Sequence, residues 1–312
     1  MSPSLRGLHH VTAVTATAPA NLDFYTRVLG MRLVKKTVNQ DDVSAYHLFY
    51  ADALGSPGTE LTFFDWAGIP RVRNGAGVVT ETALRVAGGV ETLDLWGAWF
   101  DKNAVAHGKV EDATFPSLAF QDGEGQQLRL LAEPRSAASA DAHPWRGSPV
   151  PLEAAIFGLG GVTLTVRDME PTARMLTEVL GFRVNAEDPA VFEVSRGGPG
   201  AQLRLLASAT PSKQGAGGVH HVAWSVSDVN EQKAWLEHLA EYGIGTSGLV
   251  DRFYFQSLYF RIPGGILFEI ATEGPGFTAD GEDLEHLGER LSLPPFLEER
   301  RAEIEGGLRP LG

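Results

Sequence analysis

Residues 7–14 read GLHHVTAV, and residues 218–226 read GVHHVAWSV. Each places a His-His pair at the head of a short alternating run, the pattern of a strand. After the first pair the chain continues NLDFYTRVLGMRLV. At residue 158 it reads GLGGVTLTV, followed by TARMLTEVLGFRV. Leu8 to Leu159 and Gly30 to Gly181 are both separations of 151 residues. Each copy reads as strand, amphipathic helix, Leu-Gly stop and strand, with the glycine suited to a helix C-terminus. A second pair repeats at 140 residues: SLAFQDGEGQQLRLLAE (117–133) answers SLYFRIPGGILFEIATE (257–273), and VVTETALRV (78–86) answers GVHHVAWSV.

The chain therefore holds four units, near 7–66, 77–133, 157–207 and 217–273, each read as βαβββ. The expected organisation is an α+β fold of four βαβββ modules in two tandem halves, 1–135 and 157–273, forming cupped mixed or antiparallel sheets. A linker at 136–156 joins the halves, within the Pro-, Ala- and Ser-rich stretch PRSAASADAHPWRGSPVPLEAA, and 274–312 forms a helical tail. In 312 residues, 26 basic side chains face 39 acidic ones, a net charge of −13. That disfavours nucleic acid and anionic membranes as partners. Without cysteine, any metal site must draw on His, Asp or Glu. No apolar run spans a bilayer and the start MSPSLRGL lacks a signal-peptide core, so a cytoplasmic soluble protein is expected. A homo-oligomer is compatible with this reading.

Four βαβββ units, with a histidine leading a strand and a glutamate late in another, resemble the vicinal oxygen chelate superfamily of glyoxalase I, fosfomycin resistance proteins and extradiol dioxygenases. The stretches LHHVTAVTATAPANLDFYTRVLGMRLVKKTVNQDD, YHLFYAD, LGSPGTELTFFDW and DRFYFQSLYFRIPGGILFEIATE look more narrowly like the dioxygenases that open hydroquinones. The resemblance covers essentially the whole chain.

The repeats permit a census of metal positions. The second residue of the His-His pair, or its counterpart, is His10, Glu81, Gly161 and His221 in the four units. Four residues after Gly58, Gly125, Gly200 and Gly265 stand Thr62, Arg129, Arg204 and Glu269. Units 2 and 3 contribute two guanidiniums, which cannot ligate. Units 1 and 4 contribute His10, His221 and Glu269 beside a neutral Thr62, and no other combination supplies three good ligands. Two histidines and one carboxylate form the facial set of non-heme Fe(II) oxygenases. These three residues also fall on the metal positions of the resembled family. Fe(II) is expected, with Mn(II) as the second choice.

Strand alternation selects the second histidine of each pair. Val222, Trp224 and Val226 share the parity of His220 and form an apolar stripe, whereas Ala223 and Ser225 share that of His221. His9 and His220, at the strand starts, are expected to reach the cavity rim by backbone twist. The resemblance gives these positions a part in handling substrate protons, and it matches Arg252 and Tyr259 to positions beside the metal. Tyr259 alternates with Ser257 and Arg261 on a polar face, and Arg252 suits a phenolate or oxygen anion. His47 alternates with Ala45 and Phe49; it could line the cavity, with a packing role as the preferred reading. His107, His143, His238 and His286 read as ordinary turn, linker, helix and tail residues.

This reading predicts a ring-cleaving dioxygenase acting on a small aromatic diol and O₂, with a hydroquinone preferred. A glyoxalase-type lyase or isomerase calls for a fourth ligand where Thr62 stands. A non-catalytic binding protein of this fold has no need of the triad. A catechol-cleaving relative builds its triad in the C-terminal half, where Gly161 replaces the required histidine.

Overall fold

The computed structural model describes residues 3–110, 115–134 and 143–311; residues 136–142 of the expected linker lie outside them. Unit 1 runs β1 (Leu8–Thr15), α1 (Ala18–Asp23), β2 (Arg32–Asn39), β3 (Asp42–Ala51) and β4 (Glu60–Asp65). Unit 2 runs β5 (Val78–Ala87), α2 (Val90–Lys102), β6 (His107–Val110), β7 (Ser117–Gln121) and β8 (Gln127–Glu133). Unit 3 runs β9 (Ile156–Val166), α3 (Met169–Arg174), β10 (Arg183–Val184), β11 (Val191–Glu193) and β12 (Gln202–Ala207). Unit 4 runs β13 (Val219–Val226), α4 (Val229–Glu241), β14 (Thr246–Asp251), β15 (Phe255–Arg261) and β16 (Leu267–Pro275). The tail adds two 3₁₀ turns and α5 (Arg301–Gly307). All four expected βαβββ units are present. No described helix is long and apolar enough to cross a membrane.

The helices follow the sequence pattern. In α4 the Asp228 side chain accepts from the Asn230 and Glu231 amides, and Gln232, Trp235 and Leu239 form the buried stripe. In α2 the stripe is Leu93, Trp96 and Phe100. Gly58, Gly125, Gly200 and Gly265 all have φ between +87° and +93°. The same left-handed turn thus precedes the last strand of every unit, and that conformation is cheap only for glycine.

The modules pair across the halves. One eight-stranded sheet has the order β14-β15-β16-β13-β1-β4-β3-β2, the other β10-β11-β12-β9-β5-β8-β7-β6. Each central seam is antiparallel, β1 on β13 and β5 on β9, and each is flanked by parallel pairs such as β1–β4 and β13–β16, so both sheets are mixed.

The seams carry bulges. Leu8 faces Trp224 and His10 faces Ala223, so His9 is an extra residue in β1. Thr12 faces His221 and Ala13 faces Val219, so His220 is an extra residue in β13. In the other sheet the extra residues are Thr80, Gly160 and Phe157, the first two being the counterparts of the same positions. A bulge shifts the alternation by one residue. Leu8, Val11 and Ala13 can then all face the core, as can Val219, Val222 and Trp224. A register slip would expose Val11, Leu61 and Val222, each now fully buried, at about 1.5–3 kcal/mol apiece.

Candidate metal centre

β1, β13 and β16 lie side by side, so each delivers one residue to a common point: Thr12 faces His221 across the seam, and Ala223 is the partner of Glu269. His10 Nε2 lies 3.2 Å from His221 Nε2, and Glu269 Oε2 lies 3.2 Å from the first and 3.1 Å from the second. All three side chains are buried, Glu269 completely. The Ser257 hydroxyl donates to Glu269 Oε1 at 2.5 Å. Oε2 has no hydrogen-bond partner among the described residues. Burial pushes the Glu269 carboxyl up, but the His10 and His221 rings outweigh it and hold the group well below its usual range.

The bulges put both members of each His-His pair on one side of the sheet. His9 Nδ1 is 3.0 Å from His10 Nδ1, and His220 Nδ1 is 2.8 Å from His221 Nδ1. Burial, reinforced by His10, lowers the His9 pKa to about 3, so its ring is neutral. Its Nε2 sits 3.1 Å from the Thr272 carbonyl and must carry the hydrogen. His9 Nδ1 is then bare and accepts from His10 Nδ1–H, which turns the other nitrogen of His10, Nε2, toward Glu269. His220 is likewise neutral, lowered to about 3 by burial and His221. His10 Nε2, His221 Nε2 and Glu269 Oε2 thus converge on one point. A cation bound there would take a lone pair from each. Three adjacent corners of an octahedral site with bonds of about 2.1 Å need donors about 3.0 Å apart, close to the separations observed. The residues fit a divalent metal.

The expected rim position of His9 and His220 is corrected by this geometry. Neither lines the cavity beside the triad. His9 is 1 % exposed with both nitrogens engaged, and His220 packs edge-on against Phe64 and Trp66. The bulge, not terminal twist, sets their direction, and it sets them behind the ligands. Next to His9 stands Glu60, whose Oε2 is 3.8 Å from His9 Nδ1. Burial, with Asp52 and Glu269, pushes the Glu60 carboxyl well above its usual range.

Tyr259 and Arg252 do line the cavity. The Tyr259 ring is edge-on to His221 at 5.7 Å, and its hydroxyl accepts from Arg252 Nε at 3.3 Å. Burial and Glu269 raise the Tyr259 pKa against the opposing pull of Arg252. Arg252 Nη1 and Nη2 reach Asp41 at 3.2 and 2.9 Å, on the turn between β2 and β3. Burial works against the Arg252 cation, but Asp41 and Tyr259 outweigh it and raise its pKa.

His47 fills both of its expected roles, lining the cavity and packing on Phe49 and Phe64, and its Nε2 is 3.0 Å from Thr62 Oγ1. Ser257, Thr37, Asp41 and Glu60 are the residues the sequence reading did not bring to the site. Ser257 carried a usable signal, since it shares strand parity with Tyr259. The cavity is small, about 40 Å³. A roomier one of about 410 Å³ lies on the other sheet, lined by Glu81, Arg129, Gly161 and Arg204. There Arg129 pairs with Glu81 and Arg204 with Asp188, and no three-ligand set forms among the described residues.

Fold and site together describe paired βαβββ modules with a buried His-His-Glu cluster between them that could hold a metal ion. The chain belongs to the Glyoxalase/Bleomycin resistance protein/Dioxygenase superfamily, whose model matches residues 7–112 and 158–270. It is 44 % identical to a Bacillus subtilis (strain 168) protein with the provisional name ring-cleaving dioxygenase MhqA, over 98 % of this chain and 99 % of that one. It is 32 % identical to the chlorohydroquinone/hydroquinone 1,2-dioxygenase of Sphingobium indicum, over 96 % of this chain and 95 % of that one. A B. subtilis crystal structure, provisionally titled a dioxygenase, matches with a TM-score of 0.91 at 37 % identity, covering 99 % of this chain and 98 % of the other. Glyoxalase I from Zea mays shares the fold alone, with a TM-score of 0.60 at 16 % identity over 92 % of this chain and 98 % of that one. These relatives place the chain among the dioxygenases of the superfamily.

Proposed function

We propose that the chain opens the ring of a hydroquinone with O₂, in the cytoplasm, using one divalent metal held by His10, His221 and Glu269. Fe(II) is the first choice and Mn(II) the second. The observation that carries this reading is the meeting of His10 Nε2, His221 Nε2 and an unpartnered Glu269 oxygen at 3.1–3.2 Å. A metal of this kind supplies the electron pathway between a spin-paired diol and O₂.

The chain's own residues then orient and stabilise. Ser257 occupies one Glu269 oxygen and so aims the other. His9 and His220 accept from the Nδ1–H groups of the ligands and fix their tautomers, a positioning role in place of proton transfer to substrate. Tyr259 stays protonated, and because its oxygen accepts from Arg252, its own hydrogen is free to reach an anionic oxygen in the cavity. Arg252 contributes positive charge at the same place. Phe255, 5.1 Å from the His10 ring, adds an aromatic face against which a ring can pack.

The test is anaerobic loading with Fe(II) or Mn(II), then O₂ uptake against hydroquinones and catechols. Hydroquinone should consume one O₂ per ring opened, with both labelled oxygen atoms recovered in the product. A catechol has adjacent oxygens that can chelate, and it should be a poor substrate or an inhibitor. Efficient catechol cleavage with hydroquinone untouched would overturn the substrate assignment.

A further inference from the structure

A para-diol that offers one oxygen to the His10, His221 and Glu269 corner carries its other oxygen on the far side of the ring. Arg252 is already turned toward Tyr259 and Asp41, with a hydrogen bond from each of its three guanidinium nitrogens. Two other polar side chains line the cavity with unspent capacity. Thr37 on β2 and His47 on β3 are directly opposed cross-strand partners. Thr37 is 3 % exposed, and its hydroxyl has no hydrogen-bond partner among the described residues. A buried hydroxyl without a partner is unusual enough to need a reason.

His47 is primed by a chain of threonines. Thr12 Oγ1 is 2.8 Å from Thr62 Oγ1, which is 3.0 Å from His47 Nε2. Thr12 is fully buried, and its hydroxyl meets only Thr62 among the described residues. For its hydrogen to be used, Thr12 must donate to Thr62, and Thr62 in turn to His47 Nε2. The neutral His47 ring then carries its hydrogen on Nδ1, which has no partner among the described residues. Repeat geometry supports the assignment. Ser257 on β15 faces Ala271, and His47 on β3 faces Phe64, the corresponding place in unit 1. Where Ser257 serves the ligand Glu269, His47 meets the neutral Thr62 and is left free to serve something else. Phe64 lines the same cavity, 4.4 Å from the His47 ring and 6.4 Å from that of His221.

We propose that Thr37 and His47 form a hydroxyl subsite that recognises the second, metal-distant oxygen of a para-diol. His47 Nδ1–H donates to that oxygen, and Thr37 Oγ1 accepts its hydrogen. The pair matches a group that both accepts and donates, as a neutral hydroxyl does. It selects against rings that lack the group, because Thr37 and His47 then stay unpaired. This deepens the hydroquinone reading and rests on it.

The experiment is anaerobic calorimetric titration of the Mn(II)-loaded chain with hydroquinone and with phenol, which lacks the second hydroxyl. The wild type should bind hydroquinone about tenfold tighter or more. Thr37→Val and His47→Phe should each bring that ratio close to one while metal content is retained. Thr37→Val should also leave the melting temperature unchanged or raised, because it removes an unpartnered buried hydroxyl; a structural role for Thr37 would lower it. If His47→Phe does not fold, Thr62→Val, which removes the donor fixing the ring's tautomer, takes its place. Variants that keep the wild-type ratio overturn the subsite. Turnover of hydroquinone by a wild type without any binding preference also overturns it and leaves ring cleavage standing. A wild type that neither binds nor opens hydroquinone overturns both readings.

Discussion

Glu269 is the residue on which the site turns, and Ser257 decides how it is presented. A fully buried carboxylate needs its oxygens satisfied. Ser257 satisfies Oε1 and leaves Oε2 to face the two Nε2 atoms. Ser257→Ala removes that donor with little change of volume. The metal-free protein should lose about 1–3 kcal/mol, the cost of an unsatisfied buried acceptor, and metal affinity should fall about 10- to 100-fold. Denaturant melts of the chelated protein and competitive metal titration measure the two effects. Undiminished affinity would show that Glu269 is held by its backbone alone. The three triad residues were legible in the sequence because repetition allowed position-by-position comparison. Thr37 was not, and His47 only as the second of two readings, because one strand gives parity but does not say which polar face closes over a cavity.

Bulges explain what alternation could and could not reveal. Along Val222, Trp224 and Val226 the period-2 rule holds, and it correctly turns His221 away from the apolar stripe. One residue earlier it fails. His220 and His9 are inserted residues, and nothing local in the two HHV runs, neither glycine nor proline, marks an insertion. Only the partner strand's register reveals it. The insertion lets adjacent histidines touch through their Nδ1 atoms, as no regular strand would. His9→Ala keeps the bulged backbone and removes the acceptor that holds the His10 tautomer. Metal affinity should drop about 10- to 100-fold, and Glu60 should lose its imidazole neighbour. His9→Asn, which keeps a carbonyl acceptor, should recover part of the loss. If both substitutions bind metal as the wild type does, the orienting role assigned to the bulged histidine is wrong.

At the scale of the molecule, two halves in sequence are not two halves in space. The census of units already required ligands from the first and fourth modules, and the strand orders give the reason: each sheet is closed by a seam between modules of different halves. The tail strengthens the arrangement. The buried Lys35 amine of β2 contacts Asp280 and Glu282 and lies 5.1 Å from the centre of the Tyr254 ring, so the first module is tied to residues beyond the fourth. The halves 1–135 and 157–312, expressed apart, should therefore each lack a complete site. Each would also expose a seam strand that is buried along its whole length, β1 in one and β9 in the other. Unpaired apolar edges of that kind invite aggregation. Lys35 would be left without either carboxylate, a loss of about 3–5 kcal/mol for a broken buried pair. Refolded together, the halves should recover one metal per pair and elute as a single species of the full chain's size. Metal analysis with size-exclusion chromatography reads both. A C-terminal half that alone binds one metal per chain would contradict the cross-half site, because it contains His221 and Glu269 but not His10.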